Sequence, residues 1–259
     1  MSGTAFTKPV TINAPEKAVV FDGCDFTQDA LIKIIAADSV SFKNCRFFGL
    51  NAAAKKSYLI LTDTNSEVKL VVDSCFFGDS PKNDVGSIYN LIELSGKLKT
   101  GSSISNNYFT KGCCTHNEIN VYNVADEAVI GINFNEAEYS GNLVRIGLKG
   151  APKCTINMVG NSYGETDHSE NGDWAGLLLI QPYGKATTSM NDVVINLDDT
   201  VNKSDIDRIL YLYAGGSDTH FNVETNYPQV FINGEKQTDL YLAAGTVLDT
   251  AASEAAATV

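Results

Sequence analysis

Apolar residues recur along the chain in one fixed figure. Two apolar positions lie two apart, a small or amide residue stands three further on, and an aromatic follows two beyond that. The figure reads Val19, Phe21, Cys24, Phe26, then Val40, Phe42, Cys45, Phe47, then Leu70, Val72, Cys75, Phe77. Looser copies are Ser102, Ile104, Asn107, Phe109; Ile132, Phe134, Ala137, Tyr139; and Ile156, Met158, Asn161, Tyr163. The aromatic position steps by 21, 30, 32, 30 and 24 residues. Recurrence at such a period marks a repeat architecture. Residues two apart on a strand share a face. The step of three breaks that alternation once, as a chain does when it turns a corner into a new inward-facing strand. Asp22-Gly23, Lys43-Asn44, Asp73-Ser74, Asn106 and Gly160 supply the residues a tight bend favours.

Each unit carries a second strand-like run. These are Ala30 to Ile35, Tyr58 to Leu61, Ile88 to Leu94, Ile119 to Tyr122, Leu143 to Ile146, Leu177 to Ile180 and Ile209 to Tyr213. They are β-rich and too short for helices. The pattern therefore predicts an all-β chain, a right-handed single-stranded parallel β-helix of about seven or eight coils. A β-sandwich also spaces short strands closely, but has no reason to repeat an aromatic at one offset past a corner. Residues 1–18 are expected as an N-terminal arm or cap, 19–237 as the β-helix, and 238–259 as a C-terminal tail. After Tyr163 the figure fades, with Val193, Ile195 and Leu197, then Phe221, Val223 and Asn226, as degenerate later coils. The tail is rich in Ala and Thr and has little apolar surface to hold it in place, which suggests contact with another chain.

The bulk numbers narrow the partners. Of 259 residues, 44% are hydrophobic and 19% charged, enough apolar surface to build a core. Thirty-one acidic residues against 19 basic ones leave a net charge of −12, which argues against a nucleic-acid partner. No apolar run approaches the roughly 20 residues that span a bilayer, so no membrane association is expected. The start, Met1 to Pro9, lacks a basic segment followed by an apolar one, so no secretory leader is expected. Six cysteines in that setting point to free thiols made in a reducing compartment.

Little of the sequence reads as chemistry. Cys24, Cys45 and Cys75 share one repeat position and would stack about 4.8 Å apart with parallel side chains, which suits buried thiols better than disulfides. Cys113-Cys114 lacks the paired spacing or clustered histidines of a zinc site. His116, His168 and His220 are scattered through polar sequence and propose no triad. Asp167 to Asp173 has oxygen ligands at the first, third and fifth positions followed by glycine, half a calcium loop. Its twelfth position is Leu178, where a bidentate Glu would be needed. Asp198-Asp199 are adjacent, so on a strand they would face opposite ways, and a solvated turn is expected in place of a glycosidase acid pair. No catalytic, cofactor-binding or metal site is assigned.

The rung pattern resembles the right-handed β-helix of the pectin-lyase-like superfamily over roughly Val19 to Val230. The polygalacturonases of that superfamily carry Asn-Thr-Asp, Asp-Asp, Gly-His-Gly and Arg-Ile-Lys motifs. Here only Asp198-Asp199 matches; Arg145-Ile146 is followed by Gly147 and Arg208-Ile209 by Leu210. Enzymatic residues are therefore not carried over. Among β-helix proteins without enzyme motifs, the chain looks like a bacteriophage virion component. That resemblance implies a non-enzymatic capsid decoration protein, made in the host cytoplasm, a homotrimer on the capsid surface bound to the major capsid protein. The alternative is a carbohydrate-active or carbohydrate-binding β-helix with a glycan site on an outer face. Trp174 is the only tryptophan, and sugar sites usually use several aromatic platforms.

Overall fold

A computed structural model describes residues 1–50, 57–78, 88–111, 113–138, 142–150, 152–164, 176–180, 190–203, 210–212, 228–237 and 246–248. It is all-β with parallel sheets, apart from one helical turn at Thr200–Lys203 and one antiparallel pair, Gln229–Ile232 with Glu235–Lys236. Three parallel ladders carry the chain. The first joins Val10–Asp22, Ile32–Lys43, Glu67–Asp73, Ser103–Ser105, Val129–Asn133, Cys154–Asn157, Val193–Asn196 and Gln229–Ile232. The second, beyond the corner, joins Ala5–Phe6, Asp25–Gln28, Arg46–Leu50, Phe76–Phe77, Tyr108–Phe109, Glu136–Ala137 and Ser162–Tyr163. The third starts from the front halves of Val10–Asp22 and Ile32–Lys43. It continues through Ser57–Thr62, Ile88–Leu94, Asn117–Val121, Asn142–Ile146, Leu178–Ile180, Leu210–Leu212 and Thr246–Leu248. The second-run strands thus fall where the sequence puts them.

Register keeps like residues on like. Phe21, Phe42, Val72, Ile104 and Ile132 occupy one position of the first ladder, and all are buried. Ile32, Ile60, Ile92, Ile119, Val144, Leu178 and Leu210 do the same in the third. In the second, Phe6, Phe26, Phe47, Phe77 and Phe109 form a single column. Successive ring centroids lie 4.9, 4.8, 4.8 and 4.7 Å apart, near the strand spacing. Outward residues pair by charge where they can, as with Asp25 and Arg46, directly opposite each other at 2.6 Å.

The corner is built the same way each time. Gly23, Asn44, Ser74, Asn106, Phe134, Gly160 and Asp199 all have positive φ, between 53° and 64°. Glycine, asparagine and aspartate tolerate this region best. Phe134 does not belong to that group, and it corrects one copy of the repeat. Ile104 pairs with Ile132 and Phe109 with Ala137, so the fifth figure is Ile130, Ile132, Asn135, Ala137. Phe134 is the exposed corner residue, 55% accessible, and Ala137 leaves a gap in the aromatic column. Tyr139, expected as the lumen aromatic, lies outside the described residues. At the next corner a Cβ on Gly160 would meet the Phe134 ring at 2.7 Å, so the contact with Phe134, more than the φ of 64° that other residues adopt at this corner, favours glycine there.

Behind each corner sits the small residue of the figure, and it is a polar ladder. Cys45 Sγ donates to Phe21 O and Cys75 Sγ to Phe42 O, both at 3.6 Å. Asn107, Asn135 and Asn161 take over the same contact with firmer geometry, their Nδ2 donating to Val72 O, Ile104 O and Ile132 O at 3.0, 2.9 and 2.7 Å. Each amide also reaches the next. Asn107 Nδ2 donates to Asn135 Oδ1 and Asn135 Nδ2 to Asn161 Oδ1, each at 2.9 Å, and Asn161 Nδ2 donates to Thr200 Oγ1 at 3.2 Å.

Residues 1–18, expected as an arm or cap, contribute paired strands at Ala5–Phe6 and the front of Val10–Asp22, where Phe6 stacks on Phe26 and Ile12 is buried. Of the expected tail, Thr246–Leu248 pairs in parallel with Leu210–Leu212. Phe221, Val223 and Asn226 lie outside the described residues, and Gln229–Ile232 supplies the partner of Val193–Asn196.

Three substitutions test this framework by urea unfolding. Phe47→Ala empties the middle of the ring column and should cost about 3–5 kcal/mol, while Phe48→Ala, half-exposed next door, should cost about 1 kcal/mol or less. Asn135→Ala orphans the buried Asn107 backbone amide, which donates to Asn135 Oδ1, at about 1–3 kcal/mol.

Candidate functional site

Most of the buried polar side chains in the third ladder gather on three consecutive strands, Ile88–Leu94, Asn117–Val121 and Asn142–Ile146. Their register sets Glu93 beside Asn120 and Asn120 beside Arg145. It also sets Asn90 beside Asn117 and Asn117 beside Asn142. Strands this short and this apolar would bury their sheet without help. The polar columns survive inside it because each member finds a partner one repeat away.

Glu93 is the centre. It is 3% exposed, yet Asn90 Nδ2 and Asn120 Nδ2 each donate to its Oε2 at 2.8 Å, and Ser95 Oγ donates to Oε1 at 3.2 Å. Burial pushes its carboxyl above the ordinary 4.5, and the three donors and then Arg145 pull it back only in part. Arg145 Nη1 donates to Asn120 Oδ1 at 2.9 Å, so Asn120 bridges the guanidinium to the carboxyl. The same guanidinium lies 4.7 Å from the Tyr122 ring centroid, with Lys149 Nζ at 5.7 Å from that ring. A second amide column runs alongside: Asn117 Nδ2 donates to Asn90 Oδ1 at 2.6 Å and Asn142 Nδ2 to Asn117 Oδ1 at 3.1 Å.

The rim is aromatic and half-exposed. Tyr89 and His116 stack with centroids 3.9 Å apart, and His116 Nδ1 lies 3.1 Å from Thr115 O. Burial raises the Tyr89 hydroxyl above 10, with the Tyr122 hydroxyl adding and Arg145 opposing. Tyr89, His116, Tyr122, Arg145 and Lys149 are all partly accessible. The arrangement offers flat ring faces, a cation and a protonation-prone buried acid on adjacent strands. That is chemistry suited to hydroxyl-rich or anionic ligands.

The structure treats the sequence candidates unevenly. Cys24, Cys45 and Cys75 are buried free thiols on one ladder, as expected. The contact between the Cys45 and Cys75 thiols, and then burial, push Cys75 up. Cys154 is likewise free, pushed up to about 12 by burial and then by Asp126. Asp198-Asp199 is the corner itself: Asp198 Oδ1 accepts from the Gly234 amide at 3.1 Å, and the Asp199 amide donates to Asn233 Oδ1 at 2.7 Å. His168, His220, Trp174, Arg208 and the Asp167 to Asp173 stretch lie outside the described residues. Cys113 and Cys114 are buried and form no disulfide, and Glu118 joins them. Sequence reasoning missed Glu93, Asn120 and Glu118. A lone carboxylate inside the apolar run Ile88 to Leu94 was the available signal for the first.

No helix among the described residues is long and apolar enough to cross a membrane. Comparison with known proteins finds no matching family model, no matching curated protein and no matching solved structure.

Glu93 gives a pH test with a defined sign. Its carboxyl is raised in the fold, so the folded chain holds the proton more tightly than the unfolded one. Stability from this group is full below the ordinary 4.5 and is lost as pH climbs through the raised value. Glu93→Gln removes that loss. The difference in unfolding free energy, variant minus wild type, should therefore grow more positive from pH 4 to pH 8 as read by paired urea titrations. A pH-independent difference counts against the assignment.

Proposed function

We propose that the chain winds as a right-handed single-stranded parallel β-helix and serves as a structural, non-enzymatic virion protein. In this reading it is a decoration protein on the outside of a bacteriophage head, a homotrimer gripping the major capsid protein. The observation that carries the reading is the first coil. Val10–Asp22 is a 13-residue strand paired only with Ile32–Lys43 among the described strands; Met1 and Gly3 bond to its Val20–Asp22 end, which leaves the stretch from Val10 onward as the edge, and Ala5–Phe6 pairs only with Asp25–Gln28. Val20 and Met1 beside it are 45% and 61% exposed. A long parallel edge of this kind templates further pairing unless something covers it, and in a decoration protein the shell or a neighbouring protomer does so.

Two further features support it. All six cysteines are buried and outside disulfides, in keeping with folding in a reducing cytoplasm before assembly. The net charge of −12 keeps the protein off packaged nucleic acid and soluble until it docks.

A second reading has one specific observation behind it. The half-exposed Tyr89, His116, Tyr122 and Arg145 around Glu93 form a row that suits a glycan, which favours a carbohydrate-binding β-helix. Light scattering on the purified full chain and co-sedimentation with capsids lacking it separate the two. The structural reading expects a trimer that binds the particles and raises their heat resistance. A monomer that ignores capsids and cleaves or retains polysaccharide would replace it with the second.

A further inference from the structure

We propose that Cys113, Cys114 and Glu118 form a buried binding site for one zinc ion. All three are buried, and their ligand atoms, two thiol sulfurs and a carboxylate oxygen, lie within 4.8 Å of one another. The sequence carries no Cys-x-x-Cys pair and no clustered histidines to mark such a site. The fold supplies the further ligand instead. Cys113 and Cys114 sit in a bend, not a strand, and Glu118 opens onto them from Asn117–Val121.

The bend is pinned at both ends to the preceding repeat. Thr110 N donates to Phe77 O at 2.9 Å, and the Thr115 and His116 amides donate to Ile88 O and Tyr89 O, each at 3.0 Å. The Cys113 amide closes back on Thr110 O at 3.2 Å. The ligands are thus held by backbone tethers before any ion arrives, which lowers the ordering cost of binding.

The donor set selects the ion. Two sulfurs with one carboxylate oxygen suit zinc, a borderline-soft cation, and disfavour calcium and magnesium, which take oxygen ligands. Tetrahedral zinc with sulfur at about 2.3 Å and oxygen at about 2.0–2.2 Å sets its ligands about 3.5–3.8 Å apart. The cluster needs to tighten by about 1 Å, within reach of side-chain rotation. On binding, the two thiols release their protons to solvent and Glu118 ligates as carboxylate. Three anionic ligands around a dication leave the site with one net negative charge. The fourth position falls to water or a further oxygen. The site is independent of the virion reading: it holds the third ladder at the repeat that carries His116 and Asn120, next to that of Tyr89.

The test uses the reduced, metal-free full-length protein titrated with Co²⁺ and then Zn²⁺. One equivalent of cobalt should give a near-ultraviolet thiolate-to-cobalt charge-transfer band, and one equivalent of zinc should erase it. Glu118→Gln should weaken cobalt binding by about tenfold or more, and Cys113→Ser with Cys114→Ser should abolish the band. The absence of a band at one equivalent overturns the site, as does a band that survives the double substitution or is unaltered by Glu118→Gln. If the double variant fails to fold, alkylation of the wild type decides. Zinc should slow labelling of Cys113 and Cys114 selectively, and equal slowing of all six thiols, or of none, overturns the proposal.

Discussion

Every other feature of this protein hangs on one constraint: each repeat must stop and turn at the same place, with the same left-handed residue. From Gly23 to Asp199 the corner has a φ between 53° and 64°. Its amide commonly bonds to a carbonyl of the following repeat, as Asn44 does to Asp73 O and Phe134 to Val159 O. A side-chain period of two means that a slip of one residue would turn every inward residue outward. The corner forbids the slip. Once it is fixed, Phe26 must fall on Phe47 and Asn107 on Asn135, and the interior can be built from like on like.

That same constraint decides how much of the fold was legible. The figure of two, three and two is a direct imprint of strand, corner and strand, and so the ladders and the second-run strands could be read off apolar spacing. The slip at Ile132 shows where spacing alone fails. Phe134 supplies an aromatic two residues after an apolar one, which imitates the lumen position, but it occupies the corner and faces solvent beside Lys203. The pattern of polarity could not distinguish them; the amide did, since Asn135 and not Ala137 continues the ladder from Asn107.

The polar sites were less legible because they depend on contacts between repeats. Glu93 finds Asn120 and then Arg145 at separations set by loop lengths between strands. Glu118 meets Cys113 and Cys114 only because the chain bends before the strand begins. Their chemistry is a product of register, and register is visible only when neighbouring repeats are laid side by side. Asp198-Asp199, by contrast, was correctly read as a turn, since its geometry is local.

The interior changes its cohesive principle partway along. From Phe6 to Phe109 the second ladder is a continuous ring stack, and the small residue behind the corner is cysteine, a weak donor at 3.6 Å. At Asn107 the small residue becomes an amide, and one repeat later the ring is replaced by Ala137. The two devices coincide in the repeat of Asn107 and Phe109 and again in that of Asn161 and Tyr163, where the aromatic returns next to Ala137. A stacked ring needs interior width and contributes dispersion and burial without direction. An amide ladder needs less room and carries direction, since each Asn gives and accepts at set positions. Across the gap that Ala137 leaves between Phe109 and Tyr163, the amide column alone carries that directional hold on register.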